Sequence, residues 1–304
     1  MADQYNGILT INKEKGYTSH DVVAILRKML GQKKIGHTGT LDPDATGVLP
    51  VCLGNATPVS GILSNQDKVY RTCLQLGMTT DTQDATGKVL EERDISHLTQ
   101  EEICHALLSF AREGAYDQIP PMYSALKVQG KKLVDLARKG IEVERAPRRV
   151  QIYDIRIEGV SPPFVSMVVH CSKGTYIRTL CHDMGQKLGV GGCMASLERI
   201  RTDRFDLDQA LTLSQVESLL KQGSLEQWIT PVEAYFSNFK QMTTQPVYDR
   251  LLINGNKLSP EFLQEEQAME SGEMARAYTS EGAFVGLYLF QGQEWKCFRM
   301  FHKE

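Results

Sequence analysis

The chain has 304 residues, with 34 Lys/Arg against 37 Asp/Glu and a formal net charge of −3. That length suits two domains, or one large domain with an appendage, and 41% hydrophobic with 23% charged residues is the make-up of an ordinary soluble globular protein. No run approaches ~18 consecutive apolar residues, which excludes a membrane-spanning helix.

The first residues, MADQYNGILTINKEKG, lack the apolar core of a signal peptide. Seven cysteines are scattered without a C-x-x-C pair, so reduced thiols and a cytoplasmic location are expected, and no zinc site. The net charge hides an uneven distribution. Residues 120–160 hold nine Lys/Arg against five Asp/Glu, whereas residues 261–304 hold four against eight. A local basic surface, and not the whole-chain sum, is what attracts phosphates.

In chain order, Gly7 to Asn12 reads as a strand. Thr18 or Ser19 caps a helix with Val22, Ile25, Leu26 and Met29 on one face, and Gly31 stops it. The segment Gly36-His37-Thr38-Gly39-Thr40-Leu41-Asp42-Pro43 is a loop of glycines and small hydroxyl residues that displays one carboxylate. Asp42 precedes a proline, so extended backbone is expected there. An apolar run (48–53), a helix near 56–63 and a strand at 68–76 follow. In that strand Tyr70, Thr72, Leu74 and Leu76 share one side. Thr99-x-x-Glu102 opens a helix to about Arg112. Strands are expected near 122–128, 148–160, 164–171 and 196–205, with a helix over 174–188 ending at Gly189. Thr212-x-x-Gln215 opens a further helix. Three short strands at 274–279, 283–290 and 294–301 end the chain. The tetrapeptide DATG at 44–47 and again at 84–87 reads as coincidence. Without regular βαβ alternation the expected fold is α+β: a central, largely antiparallel mixed sheet over residues 1–240, and a small β-rich domain over 245–304.

A lone Asp in a loop is ordinarily a turn-former. Two further segments change that reading: Gln118-Ile119-Pro120-Pro121-Met122-Tyr123-Ser124-Ala125-Leu126-Lys127, and Cys171-Ser172-Lys173-Gly174-Thr175-Tyr176-Ile177-Arg178-Thr179-Leu180. Together with GHTGTLDP, Asp67-Lys68-Val69-Tyr70-Arg71, and Leu76-Gly77 followed by Thr80-Asp81-Thr82, they form five collinear blocks between about Gly7 and Arg201. In order and spacing the chain resembles the bacterial tRNA pseudouridine synthase B (TruB) family. One departure is Glu14 after Lys13, where the family usually has proline, which bears on the local turn.

The resemblance implies a pseudouridine-synthase fold and isomerisation of uridine to pseudouridine at position 55 in the T-loop of tRNA. The C–N glycosidic bond breaks, the uracil turns, and C5 joins the same sugar carbon, so no cofactor and no metal are expected. Asp42 is the implied nucleophile, attacking the anomeric carbon or initiating glycal formation. Arg178 is its implied partner, holding the carboxylate by two hydrogen bonds and keeping its pKa low. Tyr70 is implied to stack on the target base and to help remove a sugar proton, and Tyr176 and Leu197 to form the apolar floor. The uridine must leave its stack; His37, beside Gly39, is implied to fill the vacated space. The insertion at about 128–150, with Lys127, Lys131 and Lys132 at its start, reads as a basic flap over the tRNA T-arm stem-loop, and the last sixty residues as a PUA-like RNA-binding unit. A monomer needing no protein partner is expected.

Other readings stand beside this one. Asp42-Pro43-Asp44-Ala45-Thr46 satisfies the D-x-D-x-T pattern of aspartate-nucleophile phosphatases, which requires a buried apolar strand before the first Asp, and KKIGHTGT is not one. A non-catalytic RNA-binding or tRNA-folding protein, or a guide-RNA-dependent relative, could share the scaffold.

Overall fold

The structure, a computed structural model, describes residues 4–265 and 270–301. Among them a sheet of ten strands dominates. Its main strands are β1 (Gly7–Lys13), β2 (Ile35–His37), β3 (Thr46–Leu53), β4 (Lys68–Leu76), β5 (Ala115–Gln118), β6 (Arg148–Ser161), β7 (Phe164–Cys171) and β8 (Gly192–Thr202). From an edge strand at Ile229–Thr230 the order runs β1-β3-β8-β4-β7-β6-β5, with β2 also on β3 and Phe205–Asp206 on β8. All pairings are antiparallel except β3 with β8, which run parallel through Thr46–Glu198 and Gly47–Arg199. The sheet is thus mixed and largely antiparallel. The β3–β8 approach depends on Gly47: at φ +102° it stands where a side chain's Cβ would lie 2.2 Å from the Arg199 carbonyl.

Helix α1 (Ser19–Leu30) forms where local signals agree. Thr18 makes a reciprocal capping box with Asp21, and Gly31 ends the helix in the left-handed conformation at φ 64°. Its buried face is Val22, Val23, Leu26 and Leu30, packed on Leu9, Ile11, Leu49 and Val51, while Ile25 and Met29 lie at the rim. Each such Leu or Val contributes on the order of 1.5–3 kcal/mol. A short helix α2 (Ser60–Ser64) leads into β4. Helices α3 (Gln100–Glu113) and α5 (Ile177–Lys187) cover a second cluster, with Ile103, Leu107, Leu180 and Met184 against Leu74, Val165, Met167 and Val169. Helix α4 (Leu133–Ala137) lies in the basic insertion, and α6 (Leu213–Lys221) joins the α1 cluster under a Thr212–Gln215 capping box.

Three expectations need correction. Residues 122–128 form a strand only at Lys127–Val128. The carbonyls of Tyr123, Ser124 and Leu126 accept from the Arg178 guanidinium, Val134 N–H and Leu133 N–H, so they serve no long ladder. Helix α5 begins at Ile177 and not at 174, because Ser172 to Thr175 closes a turn with Gly174 at φ 79°. Strand β8 begins four residues before 196, where Gly192 pairs with Leu76.

Near the C-terminus, β9 (Lys240–Thr243), β10 (Met274–Tyr278), β11 (Phe284–Phe290) and β12 (Trp295–Met300) form a four-stranded sheet. It has its own core of Met242, Ala275, Val285, Tyr288 and Trp295. It also sends Leu287 and Phe301 into a cluster with Ile8, Val48, Cys52 and Val232, behind β1 and β3.

Candidate active site

The Asp42 loop is held from beneath by the turn after β1. Lys13, wholly buried, donates from Nζ to the carbonyls of Glu14 (3.1 Å), Tyr17 (2.7 Å) and Pro43 (3.2 Å), and burial pushes its ammonium pKa down. Gly16 N–H donates to the same Pro43 carbonyl (2.9 Å), so the turn closes around Pro43 with Glu14 in place of proline. Leu41 N–H donates to Ser19 Oγ at the start of α1 (2.9 Å). The chain reverses over Asp42, whose carbonyl accepts from Ala45 N–H (3.1 Å). The carboxylate is left 43% exposed.

Arg178, the second residue of α5, reaches it. Its Nε lies 3.2 Å from Asp42 Oδ2. Nη2 donates to the Tyr123 carbonyl (2.8 Å), and Nη1 to the Thr82 carbonyl (3.3 Å) and to Asp84 Oδ2 (3.4 Å). The expected pairing therefore exists, but through one nitrogen and not two. The expected low pKa is also corrected: burial pushes the Asp42 carboxyl above its ordinary value, Arg178 opposes this, and the charges of Asp84 and Asp44 add to the upward shift.

A cavity of about 360 Å³ opens beside this pair, lined by Asp42, Tyr70, Tyr176, Arg178, Leu197 and Arg199 among others. Its volume is in the range of small-molecule sites. Tyr70 is buried on β4, directly opposite Arg199 of β8, and burial raises its phenol pKa while the Arg199 guanidinium favours ionisation. Leu197, opposite Thr72, and Tyr176, just before α5, supply apolar wall, and burial also raises the Tyr176 phenol. Gln118 clamps Tyr176 from β5: its Oε1 accepts from Tyr176 N–H (2.8 Å) and its Nε2 donates to Tyr176 O (3.1 Å) and to Tyr116 Oη (2.7 Å). A second cavity of about 620 Å³ lies on the other side of the pair, between Asp84, Arg71, Arg138 and Glu198.

The remaining expected residues lie around the cavity. Gly39 lines it, whereas His37 stands outside its wall, half-buried, edge-on to His20 (5.0 Å between rings) and accepting at Nδ1 from Gly39 N–H (3.3 Å). Burial lowers the His37 pKa, which keeps the ring neutral near pH 7. Lys127, Lys131 and Lys132 do not line either cavity; they are exposed on a hairpin pairing Lys127 with Lys132, which leaves the rim directly after Ser124, Ala125 and Leu126. Asp44, of the phosphatase pattern, is exposed and pairs with Lys15 at 3.7 Å, and the strand before the loop is three residues, antiparallel to β3.

Four residues of the site went unread in the sequence: Asp84, Lys13, Lys68 and Arg199. Asp84 carried a signal, since the second DATG follows Thr82 closely. Its Oδ1 accepts from Thr82 Oγ1 (2.8 Å), Thr86 N–H (3.0 Å) and Thr86 Oγ1 (2.6 Å), which turns Oδ2 toward Arg178.

Residues 27–177 match the model of the TruB family pseudouridylate synthase N-terminal domain, and residues 178–237 that of the tRNA pseudouridylate synthase B C-terminal domain. Proteins named tRNA pseudouridine synthase B from Clostridium tetani and Clostridium perfringens are 43% and 46% identical, each over 93% of this chain and 94% of the relative. Among solved structures, a chain of a Cbf5-Nop10-Gar1 complex is similar with a TM-score of 0.73 and 25% identity, over 97% of this chain and 85% of that one. A chain of an H/ACA RNP bound to a substrate RNA containing 2′-deoxyuridine gives 0.72 and 23%, over 98% and 85%, a likeness of fold. A displayed carboxylate paired to a buried arginine, beside a tyrosine-walled cavity on this sheet, thus occurs in a chain that belongs to the TruB family of pseudouridylate synthases.

Proposed function

We propose that this pseudouridylate synthase isomerises the uridine at position 55 in the T-loop of tRNA, with Asp42 as nucleophile. The observation that carries the reading is the Asp42–Arg178 pair at the edge of a nucleoside-sized cavity walled by Tyr70, Tyr176 and Leu197. Asp42 must be ionised to act. The guanidinium supports that charge against burial, and its four partners fix where it stands. In the bound complex the flipped uracil lies against Tyr70, over the floor made by Tyr176 and Leu197. His37, beside the cavity and neutral, takes the place the base leaves in the RNA loop. The exposed lysines 127, 131 and 132 close on the stem-loop phosphates, since A-form RNA is gripped by backbone and shape. Residues 245–304, with β9 (Lys240–Thr243) paired into their sheet, act as a PUA-like RNA-binding unit beside the catalytic domain of residues 1–240. The protein works as a cytoplasmic monomer; its greater identity to the bacterial relatives than to a chain of a Cbf5-Nop10-Gar1 complex favours action without guide RNA. Retention of the Asp42, Tyr70 and Arg178 constellation supports catalysis over RNA binding alone.

The test is a tRNA transcript tritiated at uridine C5. Label is released from the T-loop uridine by the wild type and not by Asp42→Asn. Undiminished release by that variant would sink the nucleophile assignment; phosphate release that requires magnesium, with label retained, would favour the phosphatase.

A further inference from the structure

Two cations in the wall of the cavity have no part in the reading above. Lys68 and Arg199 both line it, 7% and 2% exposed. Both face the Tyr70 side. Lys68 precedes Tyr70 by two residues on β4, hence on the same face of the sheet, and Arg199 is the residue opposite Tyr70 on β8.

Their partners are neutral. Arg199 donates from Nε to the Val48 carbonyl (2.7 Å) and from Nη2 to the Gly39 carbonyl (3.3 Å). Lys68 Nζ donates to the Ser64 carbonyl (2.9 Å) and to that of Gln66. Among the described residues neither makes an ion pair with a carboxylate, although Arg178 in the same wall is shared by two. A guanidinium has five N–H donors and an ammonium three, so both retain donors for a ligand. Buried charges without counter-ions are costly, and the strain is visible at Lys68: burial and the nearby charge of Arg199 push its pKa down to about 8. An arriving anion relieves it.

The depth of the pair selects that anion. In the proposed reaction Asp42 marks the sugar, and a backbone phosphate, which stays hydrated, belongs at the open side of the cavity and not against residues 7% and 2% exposed. What lies deep, beside Tyr70, is the base. We propose that Lys68 and Arg199 hold the negative charge that the uracil ring acquires when its bond to C1′ breaks, an inference that rests on the reaction proposed above.

The step balances by either route. As Asp42 bonds to C1′, the N1–C1′ bond breaks and N1 takes the electron pair; alternatively a base removes the C2′ proton and the same pair leaves with N1. The freed ring is an anion with charge on N1, O2 and O4. C5 then bonds to C1′, displacing the Asp42 carboxylate or returning the proton to C2′. C5 loses its hydrogen as a proton and N1 gains one, so the product is an isomer.

The experiment is single-turnover conversion of a T-arm stem-loop tritiated at C5, by wild type, Lys68→Met and Arg199→Gln. Each variant is expected to lose roughly 10²–10³-fold in rate, the usual cost of one donor to a developing anion, with stem-loop affinity and its salt dependence unchanged. A second stem-loop carries 5-fluorouridine at the target, followed by nucleoside chromatography. Fluorine withdraws charge from the ring, so the variants should lose far less on it, and the ratio of the two rates does not depend on how much protein is folded. Equal losses on both RNAs overturn the proposal. So does weaker binding with a shallower salt dependence and an unchanged rate, which would assign the pair to a phosphate. If variants match the wild type, this inference alone fails; if the wild type binds the stem-loop and releases no label, the function proposed above fails with it.

Discussion

Asp42 and Asp84 approach one guanidinium from two sides: Arg178 Nε stands 3.2 Å from Asp42 Oδ2, and its Nη1 stands 3.4 Å from Asp84 Oδ2. The two acids are unequal. Asp84 is fixed by the hydroxyls of Thr82 and Thr86, while Asp42 is 43% exposed toward the cavity. Arg178 is therefore anchored on one side and holds the more exposed acid on the other.

Removing that bridge should be severe. Arg178→Met leaves two acids facing each other and strips the Thr82 and Tyr123 carbonyls of their donor. Loss of one partner from a buried charge network costs about 3–5 kcal/mol, and urea denaturation should show it. Arg178→Lys should recover little, since one ammonium cannot reach four partners in a fixed fork.

On the proposed mechanism, in which only the ionised Asp42 attacks, the acid limb of activity should lie above the ordinary carboxylate value of 3.8, because burial raises the Asp42 pKa. As pH falls through that raised pKa, kcat/KM is lost. Asp84→Asn removes one of the charges that push Asp42 up, so the limb should move to lower pH. A profile that stays in place would show that Asp84 does not act on Asp42. The same shift has a stability sign: the ionised carboxyl is less favoured in the folded than in the unfolded chain, so its contribution falls as pH rises through the ordinary carboxylate range, and Asp42→Asn should be inactive yet melt no lower than the wild type near neutral pH.

Lys68 predicts a stability change in the opposite range. Its pKa falls from 10.5 unfolded to about 8 folded, so between these values the unfolded chain binds more protons and the wild type gains stability as pH rises. Measured against Lys68→Met by urea midpoints, the gain should reach up to about 3 kcal/mol by the top of that window. A constant difference across it would contradict the shift.

Gly47→Ala should disrupt both sheet and site. The added Cβ meets the Arg199 carbonyl at 2.2 Å, in a backbone conformation at φ +102°. The expected cost is about 3 kcal/mol, with a fall in activity larger than the unfolded fraction explains, because Arg199 faces Tyr70. Circular dichroism melting and single-turnover rates on the same sample check both.

What was legible in the sequence was local. The Thr18 and Thr99 capping boxes, the Gly31 stop and the alternation through Tyr70 each act within a few residues, and the structure has them where they were read. The Asp42–Arg178 partnership was read from resemblance, and its geometry differs, since Thr82, Asp84 and Tyr123 compete for the same guanidinium. Lys13, Lys68 and Arg199 were not legible because strand order creates their roles, and Asp84 offered only the repeated DATG, which by itself reads as coincidence. Nothing near Lys13 in sequence announces that its ammonium will lie under Pro43. Residues 122–128 were misread because diproline and apolar side chains mimic a strand entry, whereas their carbonyls are spent on Arg178 and α4.

The place of β8 in the sheet has a consequence for how the molecule comes into being. Strands β3 and β4 follow each other along the chain, yet they are separated in the sheet by β8, which is synthesised last of the three. A chain emerging from the ribosome through Cys171 therefore carries Asp42 and Tyr70 without the strand that joins their halves. Such long-range closure is slow relative to local helix formation, and it leaves open strand edges exposed in the meantime. The cavity that Asp42, Tyr70, Leu197 and Arg199 line together is complete only once β8 has paired with both β3 and β4.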